Sequence, residues 1–335
     1  MRAVFEAILN MMAKKEDCVL VTVVQSFGSA PREAGARMLV GKEGRLLGTI
    51  GGGMIEHRSE ELAIEALFAK KTSLKKFTLA PNDVEDLGMI CGGRVEVLFQ
   101  FLNHQDECFN QICEAALTQI NAHKDAWLIT KLTGDVVESG FYSEATGFLR
   151  LEVPVAQLQN KRMDWKEGAS RNYTEPVSQS GKVYIFGGGH VAQALVPVLA
   201  LLDFYTVVYD DRPVFLTKEF FPEANEFVLG SFDDIGQKIS LTKQDYVVVM
   251  TRKHKTDFAL EVQLLKTPAY YIGVIGSKHK VALQQERLQG LGFAKEEIAR
   301  LTMPIGIAIQ AETPAEIAIS IAGQLIQKRA QQGGA

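Results

Sequence analysis

A strand that runs into three glycines and then into a helix is the feature that most constrains the fold of this chain. Residues 182–188, KVYIFGG, form a continuous apolar run, and residues 190–202, HVAQALVPVLALL, have the pattern of a helix. Gly187, Gly189 and Ala192 have G-x-G-x-x-A spacing, which lets the backbone approach a phosphate at the helix N-terminus. The pattern predicts a Rossmann-type fold here.

The segments that follow support the same fold. The next predicted strand, YTVVYDD, ends at Asp210 and Asp211, about 20 residues after the glycines, where a ribose-binding acid is expected. Apolar strands and amphipathic helices alternate along residues 246–292, which predicts a parallel sheet covered on both faces. Nucleotide binding is a separate question, because the glycines could serve only to form the turn.

Two basic segments, TRKHKTD and GSKHK, each follow a strand of this predicted sheet. They contain Arg252, His254, Lys278 and His279. Ligands of such sheets bind outside the carboxyl ends of the strands, where these segments lie. We therefore expect either a site for an anionic group or two solvated loops with no ligand.

The first half of the chain mixes strands with helices. Its predicted elements are helices at the start of the chain and at 54–70 and 104–122, strands at 18–26 and 94–102, a hairpin at 37–50 and a β-meander at 126–153. Residues 159–181 are polar and lack a periodic pattern. We predict a mixed α+β domain over 1–158, a linker over 159–181 and a Rossmann-like, doubly wound domain over 182–335.

A second glycine cluster, in GTIGGGMIEHR, leads into the helix at 54–70. Gly51, Gly52 and Gly53 could expose backbone N–H groups at the helix start and bind an anion, or they could only form a tight turn. Glu56 could hydrogen-bond a ligand, or act as a first-turn acid that balances the helix dipole.

Cys91 stands out among the four cysteines, which include no C-x-x-C pair. A thiolate is a soft metal ligand and a nucleophile, and Gly92 and Gly93 leave room for a bulky group beside its sulfur. Cys18 opens an apolar strand and is expected in the core.

Composition excludes several classes of protein. A chain of 335 residues predicts two domains, and its net charge of −4 argues against nucleic-acid binding as the main task. No apolar run approaches the roughly 20 residues that span a bilayer. The first residues lack the apolar block of a signal peptide, so we expect a cytoplasmic location.

A series of motifs occurs in order along nearly the whole chain. They are GSAPREAGARMLV, GTIGGGMIE, LGMICGGRVEVL, FGGGHVAQAL, VVYDDRP, TRKHKTD, YYIGVIGSKHK and AETPAEIAISI. Together they resemble the xanthine dehydrogenase accessory proteins, the XdhC/CoxI family.

The resemblance implies a maturation factor rather than a catalyst, with no catalytic residues of its own. Such proteins bind and protect the molybdenum cofactor, a molybdopterin. They assist its sulfuration together with a cysteine desulfurase and deliver it to a molybdenum hydroxylase such as xanthine dehydrogenase.

The resemblance also implies two sites. In the first half, Cys91 is the favoured contact to the cofactor, its metal or its sulfur, and the other residues of that site are Gly51, Gly52, Gly53, Glu56, Gly92 and Gly93. In the second half, a further anion or nucleotide site is expected at Gly187, Gly189, His190, Asp210, Arg252, His254 and Lys278.

Two other functions stay open at this point. An NAD(P)-dependent oxidoreductase is favoured by the glycine turn and Asp210, although no hydride-transfer constellation is evident in the first half. The third interpretation is a scaffold that binds only the hydroxylase. A homodimer is the base-rate expectation for a protein of this size.

Overall fold

The chain divides into two compact units, Met1–Gln179 and Ser180–Ala335. Each unit has its own sheets and its own hydrophobic cores. A computed structural model describes residues 1–28, 34–78, 93–134, 136–276 and 278–332, with the side chains of 278–280 and 282 excepted.

The first sheet of the N-terminal unit is antiparallel, with strand order β3-β2-β1-β5-β4. Its elements and the helices around it are α1 (Arg2–Ala13), β1 (Cys18–Phe27), β2 (Arg37–Gly41), β3 (Gly44–Thr49), α2 (Gly53–Ala69), β4 (Ser73–Thr78), β5 (Arg94–Leu102) and α3 (Glu107–Ala122). In β1, Val19 and Val21 pack in the core that includes α2, whereas Cys18 and Leu20 pack in the core that includes α1 and α3. Both faces are covered, which is why β1 is almost continuously apolar.

The second sheet of this unit is also antiparallel, in the order β8-β7-β6-β10-β9. Its strands are β6 (Ala126–Thr133), β7 (Val136–Ser143), β8 (Gly147–Leu149), β9 (Met163–Glu167) and β10 (Ser170–Ser178). The stretch 159–181, predicted to be a linker, therefore contains two strands, and β10 pairs with β6 along its length. The first compact unit extends to Gln179 rather than ending at residue 158.

Buried polar side chains explain why β10 has no strand signature. Asn172, Thr174 and Glu175 are almost completely buried, so polar residues occupy positions where an alternating strand normally has apolar ones. The carboxylate of Glu175 accepts a hydrogen bond from the buried guanidinium of Arg37 in β2. A buried charge is costly without a partner, and the ion pair with Arg37 offsets that cost for Glu175.

The C-terminal unit contains a parallel sheet in the order β13-β12-β11-β14-β15-β16. Its elements are β11 (Lys182–Phe186), α4 (His190–Leu201), β12 (Tyr205–Asp210), β13 (Glu226–Leu229), β14 (Tyr246–Val249), α5 (His254–Leu264), β15 (Tyr271–Val274), α6 (Lys278–Gly290), α7 (Lys295–Ile298), β16 (Leu301–Thr302) and α8 (Pro314–Gln332). Val183 and Ile185 pack in the core that includes α4 and α8, and Tyr184 and Phe186 in the core that includes α5. The predicted fold class, a mixed α+β part followed by a doubly wound parallel sheet, is confirmed.

Helix α8 starts with the capping box that its T-P-A-E sequence predicts. The backbone N–H of Thr313 donates to Glu316 Oε2 at 2.9 Å, and the N–H of Glu316 donates to Thr313 Oγ1 at 3.3 Å. These bonds satisfy donors that a helix start leaves without intrahelical partners. Within the described part of the chain, no helix is both long enough and apolar enough to cross a membrane.

Helix α5 buries two acids four residues apart, Asp257 and Glu261. Gln284 Nε2 donates to Glu261 Oε1 at 2.6 Å, while Glu261 Oε2 has no partner among the described residues. Burial, together with the charge of Asp257, raises the pKa of Glu261 to about 8, against a smaller opposing effect of Arg287. Glu261 is thus a carboxyl group that the fold favours in its protonated form.

Glu261→Gln is expected to reduce the pH dependence of stability. The ordinary pKa of Glu261 is 4.5 and its folded-state pKa is about 8, so the folded state binds the proton more tightly and stability falls as pH rises between these values. The variant keeps an acceptor for Gln284 but cannot ionise, so it should exceed the original protein by about 1–3 kcal/mol near pH 8.5 and by much less near pH 5. Urea unfolding at several pH values measures this.

Glu286→Gln, an exposed change on α6, is the control and should leave the pH dependence unaltered. Equal slopes for Glu261→Gln and the original protein would show that Glu261 ionises normally.

Candidate functional site

Described residues that flank three motifs of the N-terminal unit lie at one edge of the first sheet. Phe27, the last residue of β1, lies opposite Arg94, the first residue of β5, and Arg94 also pairs with Thr78 at the end of β4. Arg37, which starts β2, lies opposite Thr49, which ends β3. The strands are antiparallel, so the chain leaves the sheet at this edge after Phe27, Thr49 and Thr78 and enters it at Arg37 and Arg94.

The glycine turn at this edge requires glycine for its backbone shape. Gly51, Gly52 and Gly53 have φ values of +136°, +75° and +64°, a region that residues with a Cβ rarely adopt. A Cβ on Gly52 would meet no atom within 4 Å, so conformation rather than lack of space selects glycine there. Their role as a tight turn is therefore established, and anion binding by the same turn stays a prediction.

Glu56 holds this turn from the first turn of α2. Its Oε2 accepts the backbone N–H of Ile50 at 3.0 Å and of Gly52 at 3.2 Å, and it also accepts the hydroxyl of Thr49. Its Oε1 pairs with Arg45. Partial burial acts to raise the pKa of Glu56, but the hydrogen bonds from Thr49, Gly52 and Ile50 and the charge of Arg45 outweigh it and lower that pKa. These contacts favour a structural role for Glu56 over direct ligand binding.

An aromatic ring and a guanidinium are exposed at the same edge. The side chain of Phe27 is 47% exposed, and the guanidinium carbon of Arg94 lies 6.0 Å from the centre of its ring. Gly93, which precedes Arg94, is buried. Cys91, the predicted metal ligand, and its neighbour Gly92 are central to the predicted site. Both lie outside the described residues.

Two of the other cysteines belong to the hydrophobic core. Cys18 is 1% exposed, as predicted, and Cys113 is completely buried. Burial raises the pKa of the Cys18 thiol to about 12 and raises that of Cys113 as well. Cys108 is only partly buried. The two core thiols are thus held in the neutral form, which is a poor nucleophile and metal ligand.

The C-terminal unit has a cleft of about 290 Å³ at the carboxyl ends of β11, β12 and β14. Residues that line it and that were predicted from the sequence are Gly187, Gly189, His190, Asp210 and Arg252. The position agrees with the rule that ligands of such sheets bind outside the strand ends.

Asp210 is buried and its carboxylate is already occupied by the protein. Oδ1 accepts the backbone N–H and the Nε–H of Arg212 at 2.9 and 2.8 Å. Oδ2 accepts the N–H of Gly188 at 2.7 Å and Nη2–H of Arg212 at 2.9 Å. Burial acts to raise the pKa of Asp210, but the bonds from Arg212 and Gly188 outweigh it and lower that pKa. A carboxylate has about four acceptor positions, so these contacts argue against the expected ribose-binding role.

Glycine occupies each of the three positions of the turn at 187–189 for a different physical reason. Gly187 has φ of +109°, and a Cβ there would lie 2.6 Å from the carbonyl oxygen of Met250. A Cβ on Gly188 would lie 3.0 Å from the Cβ of Phe215. Gly189 has φ of −77°, and a Cβ on it would meet nothing within 4 Å. The fold needs glycine at the first position, has little space at the second, and leaves the third free for the close approach of a ligand.

The structure places the side chains of the first basic segment, TRKHKTD, but not the basic side chains of the second, GSKHK. Arg252 lines the cleft and its side chain is 53% exposed. His254 starts α5, is exposed, and its Nδ1 lies 3.7 Å from Asp257 Oδ2 rather than in the cleft lining. The side chains of Lys278 and His279 lie outside the described residues. The structure thus brings Arg252 to the candidate site and places His254 beside it.

Sequence reasoning missed several residues that line the cleft, among them Arg212, Phe215 and Thr251, and it missed Asp257, which supports Thr251. Arg212 and Phe215 line the cleft, and the guanidinium carbon of Arg212 stacks 4.1 Å from the ring centre of Phe215. Thr251 lines it too, and Asp257 Oδ1 fixes Thr251 by accepting its N–H at 3.0 Å and its hydroxyl at 2.6 Å. The D-D-R-P sequence was the available signal for Arg212.

Glu56→Ala is expected to loosen the glycine turn. The change removes the acceptor of two backbone N–H groups and one hydroxyl, so we expect a loss of about 1–3 kcal/mol in the free energy of unfolding at neutral pH. Because the folded-state pKa of Glu56 lies below its ordinary value of 4.5, this difference should disappear as pH falls below 4.5 and through the folded-state value. Denaturant unfolding at neutral and acidic pH measures it. Glu65→Ala, an exposed change on the same helix, is the control, and an equal loss there would contradict the assignment.

Gly187→Ala and Gly189→Ala are expected to separate structure from binding. Gly187→Ala should cost about 2 kcal/mol or more, because of its positive φ and the contact with Met250. Gly189→Ala should change stability by no more than about 0.5 kcal/mol, yet it should weaken any ligand that approaches the turn. Thermal unfolding and ligand titration of both variants test this. A large loss of stability in Gly189→Ala would make that glycine structural.

Comparison with known proteins gives two family matches. The model described as the XdhC Rossmann domain matches residues 183–325, and the model described as the XdhC and CoxI family matches residues 11–78. The two matches fall in different units and together span most of the chain.

Three proteins align with at least 94% of this chain. The Escherichia coli (strain K12) protein YqeB is 26% identical and aligns with 94% of this chain, which spans only 44% of the length of YqeB. A protein of Bacillus subtilis (strain 168) named as a probable xanthine dehydrogenase subunit is 25% identical, over 95% of both chains. The molybdenum cofactor insertion chaperone PaoD of E. coli is 20% identical, over 99% of this chain and 89% of its own.

A solved structure has the same fold. The crystal structure of a protein described as a xanthine dehydrogenase from Bacillus halodurans is 26% identical and superposes with a TM-score of 0.77, covering 98% of this chain and 96% of that one. With both family matches and the relatives above, this identifies the chain as a member of the XdhC and CoxI family.

Proposed function

We propose that the protein is a molybdenum cofactor chaperone, which carries the cofactor as cargo and inserts it into a xanthine dehydrogenase-type molybdenum hydroxylase. The observation that carries this proposal is the similarity to PaoD, a named insertion chaperone, along 99% of the present chain. The B. subtilis relative, whose name refers to xanthine dehydrogenase, supports the same association with that class of enzyme. In this role the protein is a maturation factor rather than a catalyst.

The proposed cargo site is this edge of the first sheet, formed by the ends of β1, β3 and β4 and the starts of β2 and β5. The molybdenum cofactor combines a reduced pterin with a planar pyrimidinone ring, an anionic phosphate and a sulfur-ligated metal. The exposed ring of Phe27 offers a stacking surface, and the guanidinium of Arg94 offers a charged donor for the phosphate. Cys91, three positions before Arg94 in the sequence, is proposed as the soft ligand or sulfur contact.

The glycine turn contributes shape to this proposed site. Glu56 occupies the N–H groups of Ile50 and Gly52, so we assign those donors to holding the turn rather than to the cargo. Gly51, Gly52 and Gly53 leave no side chain between the start of α2 and the edge. Cooperation with a cysteine desulfurase in sulfuration, and assembly as a homodimer, belong to this proposal as expectations.

A nucleotide is proposed as a second ligand, in the cleft of the C-terminal unit. The space at Gly189 supports it, because neither sterics nor backbone conformation requires a glycine there. If the cleft were the active site of an NAD(P)-dependent oxidoreductase, the protein would also have to transfer hydride. Loss of reduced-nicotinamide absorbance with a panel of small oxidised substrates would favour that alternative over the chaperone.

Cys91→Ala is expected to abolish or strongly reduce cofactor loading. The protein is co-expressed with cofactor synthesis and purified, and pterin is measured by fluorescence after oxidation and molybdenum by elemental mass spectrometry. The original protein should carry both. The molybdenum content of Cys91→Ala should be lower by about tenfold or more, because one metal or sulfur contact is removed.

Cys108→Ala is the matched control, since Cys108 is the partly accessible cysteine of the same unit among those described. It should load like the original protein. Equal loading of Cys91→Ala would remove Cys91 from the site, and absence of pterin and molybdenum from the original protein would remove the cargo proposal itself.

A further inference from the structure

We propose that the cleft of the C-terminal unit selects a dinucleotide with a phosphate on its adenosine ribose, as in NADP, over one with a free ribose diol, as in NAD. This inference rests on the nucleotide proposal above and adds the chemical feature that is recognised. It follows from how the charged groups at the end of β12 are used.

The residue that would bind a ribose diol is not available for it. In dinucleotide-binding folds of this type an acid at the end of the second strand accepts the ribose hydroxyls. Here that acid is Asp210, which is completely buried and accepts four N–H donors from Gly188 and Arg212. A ribose hydroxyl could reach its oxygen atoms only by displacing one of these internal bonds.

The same bonds hold the guanidinium of Arg212 in an orientation in which it can donate hydrogen bonds to a phosphate. Asp210 accepts from Nε and Nη2 of Arg212, and the ring of Phe215 covers one face of the guanidinium at 4.1 Å. Nη1 has no partner in the described part of the chain, and the side chain is still 27% exposed. An arginine that is already held in one orientation loses little conformational freedom when it binds a phosphate.

Arg252 supplies a second guanidinium from the end of β14, which lies on the other side of β11 from β12. It lines the same cleft after β14, and its side chain is 53% exposed. Its Nη2 lies 3.7 Å from Asp211 Oδ2, which is beyond a direct hydrogen bond. Arg252 can therefore turn towards a phosphate without breaking a strong contact.

Asp211 is the competing group, because it is an acid at the same place with accessible oxygen atoms. Its Oδ1 lies 3.5 Å from Arg212 Nε, and its Oδ2 lies near Arg252. Two arginines around one exposed carboxylate leave that carboxylate partly neutralised. A phosphate, with more charge and three oxygen acceptors, fits the two guanidiniums better than the hydroxyls of a diol do.

The glycine turn of the cleft suits the linking phosphates. Gly189 precedes α4, has space where a Cβ would lie, and is followed by His190, which also lines the cleft. The first backbone N–H groups of a helix favour an anion at that position. The glycine turn would thus hold the linking phosphates, while Arg212 and Arg252 would bind the ribose phosphate.

Calorimetric titration of the full chain with NADP⁺ and with NAD⁺ tests the inference. NADP⁺ should bind at least about tenfold more tightly than NAD⁺. Arg252→Gln should lower the affinity for NADP⁺ by about tenfold, while it should change the affinity for NAD⁺ by less than about twofold. Asp211→Asn should leave NADP⁺ binding unchanged or make it tighter, since it removes a competing negative charge.

Arg287→Gln on α6 is the control, because Arg287 is exposed and is not part of the cleft lining; it should alter neither titration. Tighter or equal binding of NAD⁺, or loss of binding in Asp211→Asn, would make Asp211 the ribose acid and overturn the inference. Failure of both dinucleotides to bind would overturn the nucleotide proposal together with it. Pterin and molybdenum content of the same preparation decides the cargo proposal independently.

Discussion

A single carboxylate in each unit holds a glycine-rich turn between a strand and a helix. Glu56 does this in the N-terminal unit, where it accepts N–H groups of the turn and pairs with Arg45. Asp210 does it in the C-terminal unit, where it accepts the N–H of Gly188 and two hydrogen bonds from the guanidinium of Arg212. Turns with so little side chain have few other means of fixing their backbone, because glycine has wide conformational freedom. Both candidate sites depend on these two acids.

This arrangement divides the work between charged groups. Glu56 and Asp210 are the acids that a sequence motif would assign to a ligand, but both instead accept hydrogen bonds from their own turns. The pKa of each is lowered because hydrogen-bond donors and an arginine surround it. Arg94 and Phe27 in one unit face solvent, and in the other unit Arg252 and the edge of Arg212 do so beside the exposed acid Asp211. Such surfaces suit ligands that carry phosphates and flat rings, which both proposed ligands do.

Periodicity was sufficient to predict the elements with ordinary cores. The helix at the start of the chain, β1, β5, the β2–β3 hairpin and the strand–glycine–helix unit at β11 and α4 all lie where apolar spacing places them. The two strands in 159–181 were missed because Glu175 and its neighbours are polar and buried, and the ion pair that offsets the burial of Glu175 comes from Arg37, far away in sequence.

The candidate sites were only partly predictable. Glycine spacing located both turns and the cleft, but spacing cannot tell whether an acid faces a ligand or its own backbone. Asp210 fits a ribose-binding pattern in sequence, and only the four N–H donors around it reveal its other use. Arg212 carried no periodic or glycine signal, since its importance comes from the bond to Asp210 and the stacking on Phe215.

The buried ion pair between Arg37 and Glu175 joins strand β2 of one sheet to strand β10 of the other. The two antiparallel sheets are therefore not independent modules, although each has a complete hydrogen-bonded order of its own. A fragment cut before β9 would remove Glu175 and leave the buried guanidinium of Arg37 without its counter-charge. The smallest piece of this unit able to fold by itself must accordingly run through β10, so both sheets should melt in one cooperative step.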